Sequence, residues 1–267
     1  MKAGIIQIES SGDVSKSLFH AQQLVQRAVA EGAELVVLPE EFATLGISNE
    51  EKLSIKESYG QGKIQDALKE MAYHNKTWII GGTIPLASDA PHKVHASCLV
   101  VGSDGEVRAR YDKIHLFDAK LDETESYQES KIVKAGNEIV KVNTPLGEVG
   151  LTVCYDVRFP EMFRLLIDKG VTFFAVPAAF TEKTGKAHWE VLLRARAIEN
   201  LSYILAAGHC GKRYDGKSTY GHSMIIDPWG NILRSMEKGE GVLVADIDKA
   251  HIQSLRQQFP ALSHRCH

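Results

Sequence analysis

Cysteine is scarce in this chain of 267 residues, and its four copies stand far apart. Cys98, Cys154, Cys210 and Cys266 form no CxxC pair, which excludes a zinc knuckle and a disulfide framework. Long apolar runs are also missing. No stretch approaches the ~20 residues that a membrane-spanning helix needs. The opening run Met1–Glu9 is too short for a signal-peptide core and is interrupted by Gln7. The expectation is a soluble, cytoplasmic protein. Charge of one sign is nowhere concentrated: 31 Lys and Arg stand against 34 Asp and Glu, for a net charge of −3. Such a balance leaves no electrostatic footprint for nucleic acid or for an anionic membrane. Linkers, internal repeats and low-complexity stretches are absent, so a single domain over 1–267 is expected, with the last few residues a tail. What is present is globular: 44% hydrophobic and 24% charged residues are enough to bury a substantial core.

Along the chain, short apolar strands alternate with amphipathic helices. Ala3 to Ile8 reads as a strand. Asp13 then caps a helix in which Leu18, Ala21, Leu24, Val25 and Ala28 recur at helical spacing. Residues 34–38 form a continuous apolar run stopped by Pro39, the pattern of a strand covered on both faces. A second helix is expected over 63–75 and a strand over 78–81. Strands at 96–101 and 106–111, joined by Ser103-Asp104-Gly105, make an antiparallel hairpin. The polar, acidic stretch 115–136 reads as a long loop, a feature that tends to be functional in a compact domain. Further strands are expected at 139–142, 147–153, 171–176, 203–207, 222–227 and 241–246, with helices over 160–169, over 187–199 and from about 249. Hairpins interspersed with strand–helix units fit an α/β fold of two mixed sheets packed face to face, with helices outside.

Three segments place a reactive side chain just past an apolar strand, where α/β sheets present their ligands. In Leu38-Pro39-Glu40-Glu41, Glu40 is the first side chain beyond the proline; taken alone, the pair also fits two solvated loop carboxylates. In Tyr111-Asp112-Lys113-Ile114-His115, Lys113 is either an oriented cation or a surface lysine with a buried stem. In Thr152-Val153-Cys154-Tyr155-Asp156-Val157-Arg158, a strand delivers Cys154 onto a turn that opens into a helix. The free N–H groups of a helix start favour a thiolate and a developing oxyanion. Against that stands the inert buried cysteine common in protein cores.

Order and context are more specific than any one segment. Glu after Leu-Pro, Lys in Asp-Lys-Ile-His-Leu-Phe-Asp, and Cys in Cys-Tyr-Asp-Val-Arg-Phe-Pro-Glu resemble the Glu–Lys–Cys motifs of the nitrilase, or carbon–nitrogen hydrolase, superfamily. The likeness continues through 177–180, 188–190, 194–200, 221–223 and 227–230, so it covers almost the whole chain. It implies a four-layer α-β-β-α sandwich and a homodimer. It also implies Cys154 as nucleophile, Glu40 as general base, Lys113 as oxyanion stabiliser and Glu129 as a second glutamate holding the lysine. No metal or organic cofactor is implied. The segments 188–198 and 219–224 are similar to the deaminated glutathione amidases of that superfamily, with the omega-amidases acting on 2-oxoglutaramate as the alternative. A scaffold that keeps the fold without turnover, and a thiol redox protein, fit less well, because the three motif residues are intact and no resolving cysteine lies near Cys154.

The substrate expected from this likeness is a small amide of a 2-oxo acid. Tyr155, through its backbone N–H, Arg158, Ala179 and Phe180 are the candidate substrate-binding residues, and Arg158, Lys186, Lys212 and Arg213 are the cations available for a substrate carboxylate. His188 and Trp189 read as the start of a packing helix, with Arg194, Arg196 and Glu199 in structural ion pairs. Asp156, Arg158 and Glu161 are candidates for local pairing behind Cys154. Cys98 is expected in the core and Cys210 near the pocket mouth. His264, Cys266 and His267 read as a mobile tail rather than a metal site.

Overall fold

The computed structural model describes residues 1–9, 11–123, 125–213 and 216–266. Its layering follows from the two-residue period of strands whose faces are both buried. In the first strand, Lys2–Glu9, Ala3 and Ile5 join one apolar cluster while Ile6 and Ile8 join another. In Leu35–Leu38, Leu35 and Val37 go with the first cluster, and Val36 and Leu38 with the second. The second cluster is closed by Leu18, Ala21, Val25 and Ala28 of helix Val14–Ala30 and by Leu68 and Met71 of helix Lys63–Asn75. The first cluster runs between the sheets and on to Phe163 of helix Pro160–Asp168 and Trp189 and Leu193 of helix Glu182–Asn200. The order is therefore helix, sheet, sheet, helix, as expected.

Among the described residues the first sheet has nine strands. Lys2–Glu9 lies at its centre, parallel to Leu35–Leu38 and antiparallel to Gly241–Asp246. Leu35–Leu38 continues in parallel to Trp78–Gly81, beyond which Val94–Val101 pairs with Val107–Asp112 in the expected hairpin. The second sheet has six strands, with Gly147–Leu151, Phe173–Ala175 and Tyr203–Ala206 parallel at its centre.

Several elements were not legible in the sequence. Ile84–Ala87 pairs with Val94–Val101 although it contains Pro85. It ends the sheet, and an edge strand tolerates the missing donor. The stretch expected as a loop over 115–136 folds into a small hairpin, Asp118–Lys120 against Ser126–Gln128, followed by a 3-10 turn at Glu129–Lys131. Helix Glu182–Asn200 starts five residues before the expected position, capped by the Thr181 side chain. Gly185 in its first turn makes a close contact: a Cβ there would lie 2.2 Å from the Tyr220 ring. The expected tail is partly tied down, with a 3-10 turn at Ala261–His264 and an ion pair of 2.7 Å between Arg265 and Asp168. His267 lies outside the described residues. No described helix is long and apolar enough to cross a membrane.

Candidate active site

Four chain segments meet at the carboxyl ends of strands from both sheets. Pro39 and Glu40 follow Leu35–Leu38, Lys113 follows Val107–Asp112, Cys154 comes three residues after Gly147–Leu151, and Ala179 lies beyond Phe173–Ala175. The turn that carries Glu40 is held by close backbone approach. Gly82, at φ +56°, lies so near that a Cβ on it would fall 1.9 Å from the Pro39 carbonyl oxygen. Glu41, next in sequence, has φ +52° and donates its N–H to Thr83 Oγ1 at 2.9 Å.

Cys154 has φ +49°, a left-handed conformation that costs a non-glycine residue on the order of 1–3 kcal/mol and persists only where neighbours enforce it. Its own N–H donates to the Pro177 carbonyl at 2.8 Å, and the preceding N–H, of Val153, donates to Asp156 Oδ2 at 2.8 Å. The thiol is thus turned out of the strand line toward Glu40 at the start of a 3-10 turn, Cys154–Arg158. The α-helix begins only at Pro160, so its N-terminus is not at the sulfur as the sequence suggested. The electrostatics differ accordingly. Burial pushes the Cys154 thiol well above its ordinary pKa, as does the nearby charge of Glu40; Lys113 offsets only part of this. At rest the Cys154 side chain is therefore a thiol rather than a thiolate.

Lys113 is 2% exposed and its Nζ lies 2.8 Å from Glu40 Oε1 and 2.9 Å from both oxygens of Glu129. Burial works against its charge, but Glu129 and Glu40 outweigh burial and hold its pKa well above the usual lysine range. Glu129 also accepts the Phe117 N–H at 2.6 Å. Its pKa is raised, chiefly by burial and also by the charge of Glu40, with Lys113 pulling the other way. Glu40 Oε2 accepts the Ala179 N–H at 2.9 Å. Cysteine, glutamate and lysine thus share one point, joined by a second glutamate from the base of the small hairpin.

These groups open onto a cavity of about 320 Å³. Phe117, Tyr127, Ile132 and Val133 give it an apolar wall, and Glu41, Lys52, Arg213 and Lys217 add charge. Of the four candidate substrate-binding residues, only Ala179 lines it. The Tyr155 ring packs against Phe117 and Phe159, outside the lining. Arg158 lies 3.3 Å from His188 Nδ1, with its guanidinium over the Tyr155 and Phe180 rings, and Phe180 is buried against Trp189. Both belong to the packing behind the site, because the turn after Cys154 directs Arg158 toward helix Glu182–Asn200. Cys210 is not at this mouth: it lines a separate cavity and donates to the Gly239 carbonyl at 3.3 Å. Lys186 and Lys212 line that second cavity too. Cys98 is in the core, as expected.

One hydrogen-bonded cluster beside the site was missed. Asp156 pairs with neither Arg158 nor Glu161. Fully buried, it accepts from Tyr111 Oη at 2.6 Å and from the His115 N–H at 3.2 Å, and the His115 ring Nδ1 lies 2.7 Å from Oδ1. It therefore ties the segment carrying Lys113 to the turn carrying Cys154. The available signal was an acidic residue two places after a strand-end cysteine. Among the described residues no group of three or more His, Cys, Asp and Glu side chains is arranged to hold a metal ion.

The chain is similar to known proteins in both sequence and fold. A Synechocystis sp. protein named deaminated glutathione amidase is 40% identical over 98% of this chain and 97% of its own length. Among solved structures, the Caenorhabditis elegans NitFhit protein superposes with a TM-score of 0.91 at 34% identity, over 99% of this chain; the chain spans 65% of that longer protein. A Saccharomyces cerevisiae member of branch 10 of the nitrilase superfamily superposes with a TM-score of 0.89 at 29% identity, over 100% of this chain and 97% of its own. The sequence profile of the carbon-nitrogen hydrolase family matches residues 2–257, a span that holds all four side chains of the Cys154 cluster, and the chain belongs to that family.

Proposed function

We propose that this carbon–nitrogen hydrolase cleaves the amide of deaminated glutathione, giving 2-oxoglutarate and Cys-Gly through a thioester on Cys154. The observation that carries the reading is the meeting of Cys154, Glu40, Lys113 and Glu129 at one cavity, with Lys113 Nζ 2.8 Å from Glu40 Oε1. An amide is a poor electrophile with a poor leaving group, and covalent catalysis divides its hydrolysis into two lower barriers. Because the thiol is protonated at rest, its proton passes to Glu40 as sulfur attacks the carbonyl carbon. The oxyanion that forms is met by Lys113 and by the backbone N–H of Tyr155 at the start of the 3-10 turn. In the resting site Lys113 is engaged by two carboxylates, so the oxyanion takes over the contact that Glu40 gives up on protonation. Collapse breaks the C–N bond, and protonated Glu40 hands its proton to the departing amine. Glu40 then deprotonates a water that attacks the thioester, and the C–S bond breaks to restore the thiol.

The name of the Synechocystis relative supports this substrate over 2-oxoglutaramate. Comparing kcat/KM for Cys-Gly release from deaminated glutathione with ammonia release from 2-oxoglutaramate tests the choice; a clear preference for 2-oxoglutaramate sinks it. Hydroxylamine added during turnover should yield a hydroxamate, and product release with no trappable acyl species argues against the thioester. The same reading keeps the cytosol as the place of action, where thiols such as the four free cysteines stay reduced. It also includes a homodimer formed through the outer helical layer, supported by the exposed Leu165, Val191 and Ile198 on helices Pro160–Asp168 and Glu182–Asn200.

A further inference from the structure

Catalysis accounts for only part of the charge around the main cavity. Glu40, Lys113 and Glu129 form a cluster with one cation and two carboxylates, which by itself repels an anionic substrate. Other residues of the lining reverse this. Lys52, Arg213 and Lys217 line the same cavity, so the lining carries four cations against three carboxylates, Glu41 being the third. Lys52 is committed locally: its Nζ lies 2.5 Å from Glu41 Oε1. That contact and the nearby Arg213 hold the Glu41 carboxyl below its ordinary pKa in spite of burial, so Glu41 remains charged and Lys52 remains pinned to it.

The backbone decides which cations of this region face the cavity. Strand His209–Lys212 pairs with Lys2–Glu9 on one side and Ser218–Tyr220 on the other. Alternate residues of a strand face opposite ways. Cys210 and Lys212 line the second cavity, whereas Arg213 lines the catalytic one. Lys217 returns from the far side of the same turn, with its Nζ 4.0 Å from the centre of the Tyr127 ring and 3.3 Å from the Ser126 carbonyl. Two cations from one hairpin therefore line the catalytic cavity, with Lys217 against the Ser126–Gln128 strand.

The geometry points to Arg213 and Lys217 as the subsite that binds a carboxylate of the substrate, selecting anionic 2-oxo acid amides over neutral ones. This deepens the amidase reading and rests on it for the identity of the substrate. Arg213 supplies a planar fork matched to a carboxylate, and Lys217 a point charge. Glu41, paired with Lys52, feels the charges of both Arg213 and Lys113.

A binding experiment separates this inference from the catalytic one. In Cys154→Ala protein, which lacks the nucleophile, 2-oxoglutarate is titrated by calorimetry at low and high salt. Binding should weaken as salt rises. Adding Arg213→Gln or Lys217→Gln should weaken it by roughly tenfold or more, the effect of losing a charge-assisted hydrogen bond. Arg213→Lys should recover part of the loss. Lys212→Gln, one residue away but on the other face, should leave the affinity unchanged. Equal affinity for 2-oxoglutarate and an uncharged amide of the same chain length, or equal losses in Lys212→Gln and Arg213→Gln, overturns the subsite. An intact subsite in a protein that turns over no amide would leave the inference standing and overturn the amidase reading instead.

Discussion

Replacing Asp156 by asparagine tests whether the turn carrying Cys154 is held by hydrogen bonding to the segment carrying Lys113. The carboxylate receives bonds at both oxygens: Tyr111 Oη and the Val153 N–H at Oδ2, and the His115 N–H with the His115 ring at Oδ1. An asparagine amide keeps one acceptor oxygen and puts an NH2 in place of the other. The Tyr111 hydroxyl can rotate and the imidazole can exchange its proton, but the two backbone N–H groups cannot adapt. Whichever way the amide is turned, one backbone donor faces another donor in a buried setting. That costs about 1–3 kcal/mol. The remaining bonds change from charge-assisted to neutral and lose about half their strength. A total of about 3 kcal/mol is expected, within the 5–15 kcal/mol typical of a domain, so the protein should still fold. Denaturant unfolding should show the lower midpoint at unchanged slope. Since Asp156 does not line the cavity, the loss of activity should appear in kcat rather than KM, by roughly 10²-fold if the sulfur moves by ~1 Å relative to Lys113. A variant within ~0.5 kcal/mol of the parent and with unchanged kcat would refute the reasoning.

Glu129→Gln breaks a buried ion pair with Lys113, whose Nζ lies 2.9 Å from both Glu129 oxygens. Glu129 and Glu40 hold Lys113 charged against burial, so removing one of the two carboxylates should lower the Tm. In the same variant kcat should fall by roughly 10²-fold because Lys113 loses its aim; an unchanged Tm together with an unchanged kcat would refute this role. The dimer reading predicts a sedimenting mass twice the 29.5 kDa of the chain. Val191→Glu, at a 68% exposed position on the outer helix, should shift the protein toward monomer; an unshifted mass places the contact elsewhere.

The sequence by itself determined what depends on neighbours along the chain. Helix Val14–Ala30 with its Asp13 cap, the bounds of Lys63–Asn75 and Trp78–Gly81, and the 96–111 hairpin all follow from periodicity, caps and turn residues, which act over a few residues. The motifs also named Glu40, Lys113, Glu129 and Cys154, and the structure brings those four side chains together. Tertiary structure alone decided the rest. Pro85 sits in a strand because that strand happens to be an edge, and Gly185 sits in a helix because Tyr220 fills the space where a side chain would be. Arg158 faces away from the cavity while Arg213 faces in, since direction depends on the parity of a strand and the sense of a turn. The protonation of Cys154 depends on burial and on Glu40, 114 positions away in the chain. Charge state, direction and close approach are properties of three-dimensional surroundings, to which linear spacing gives no access.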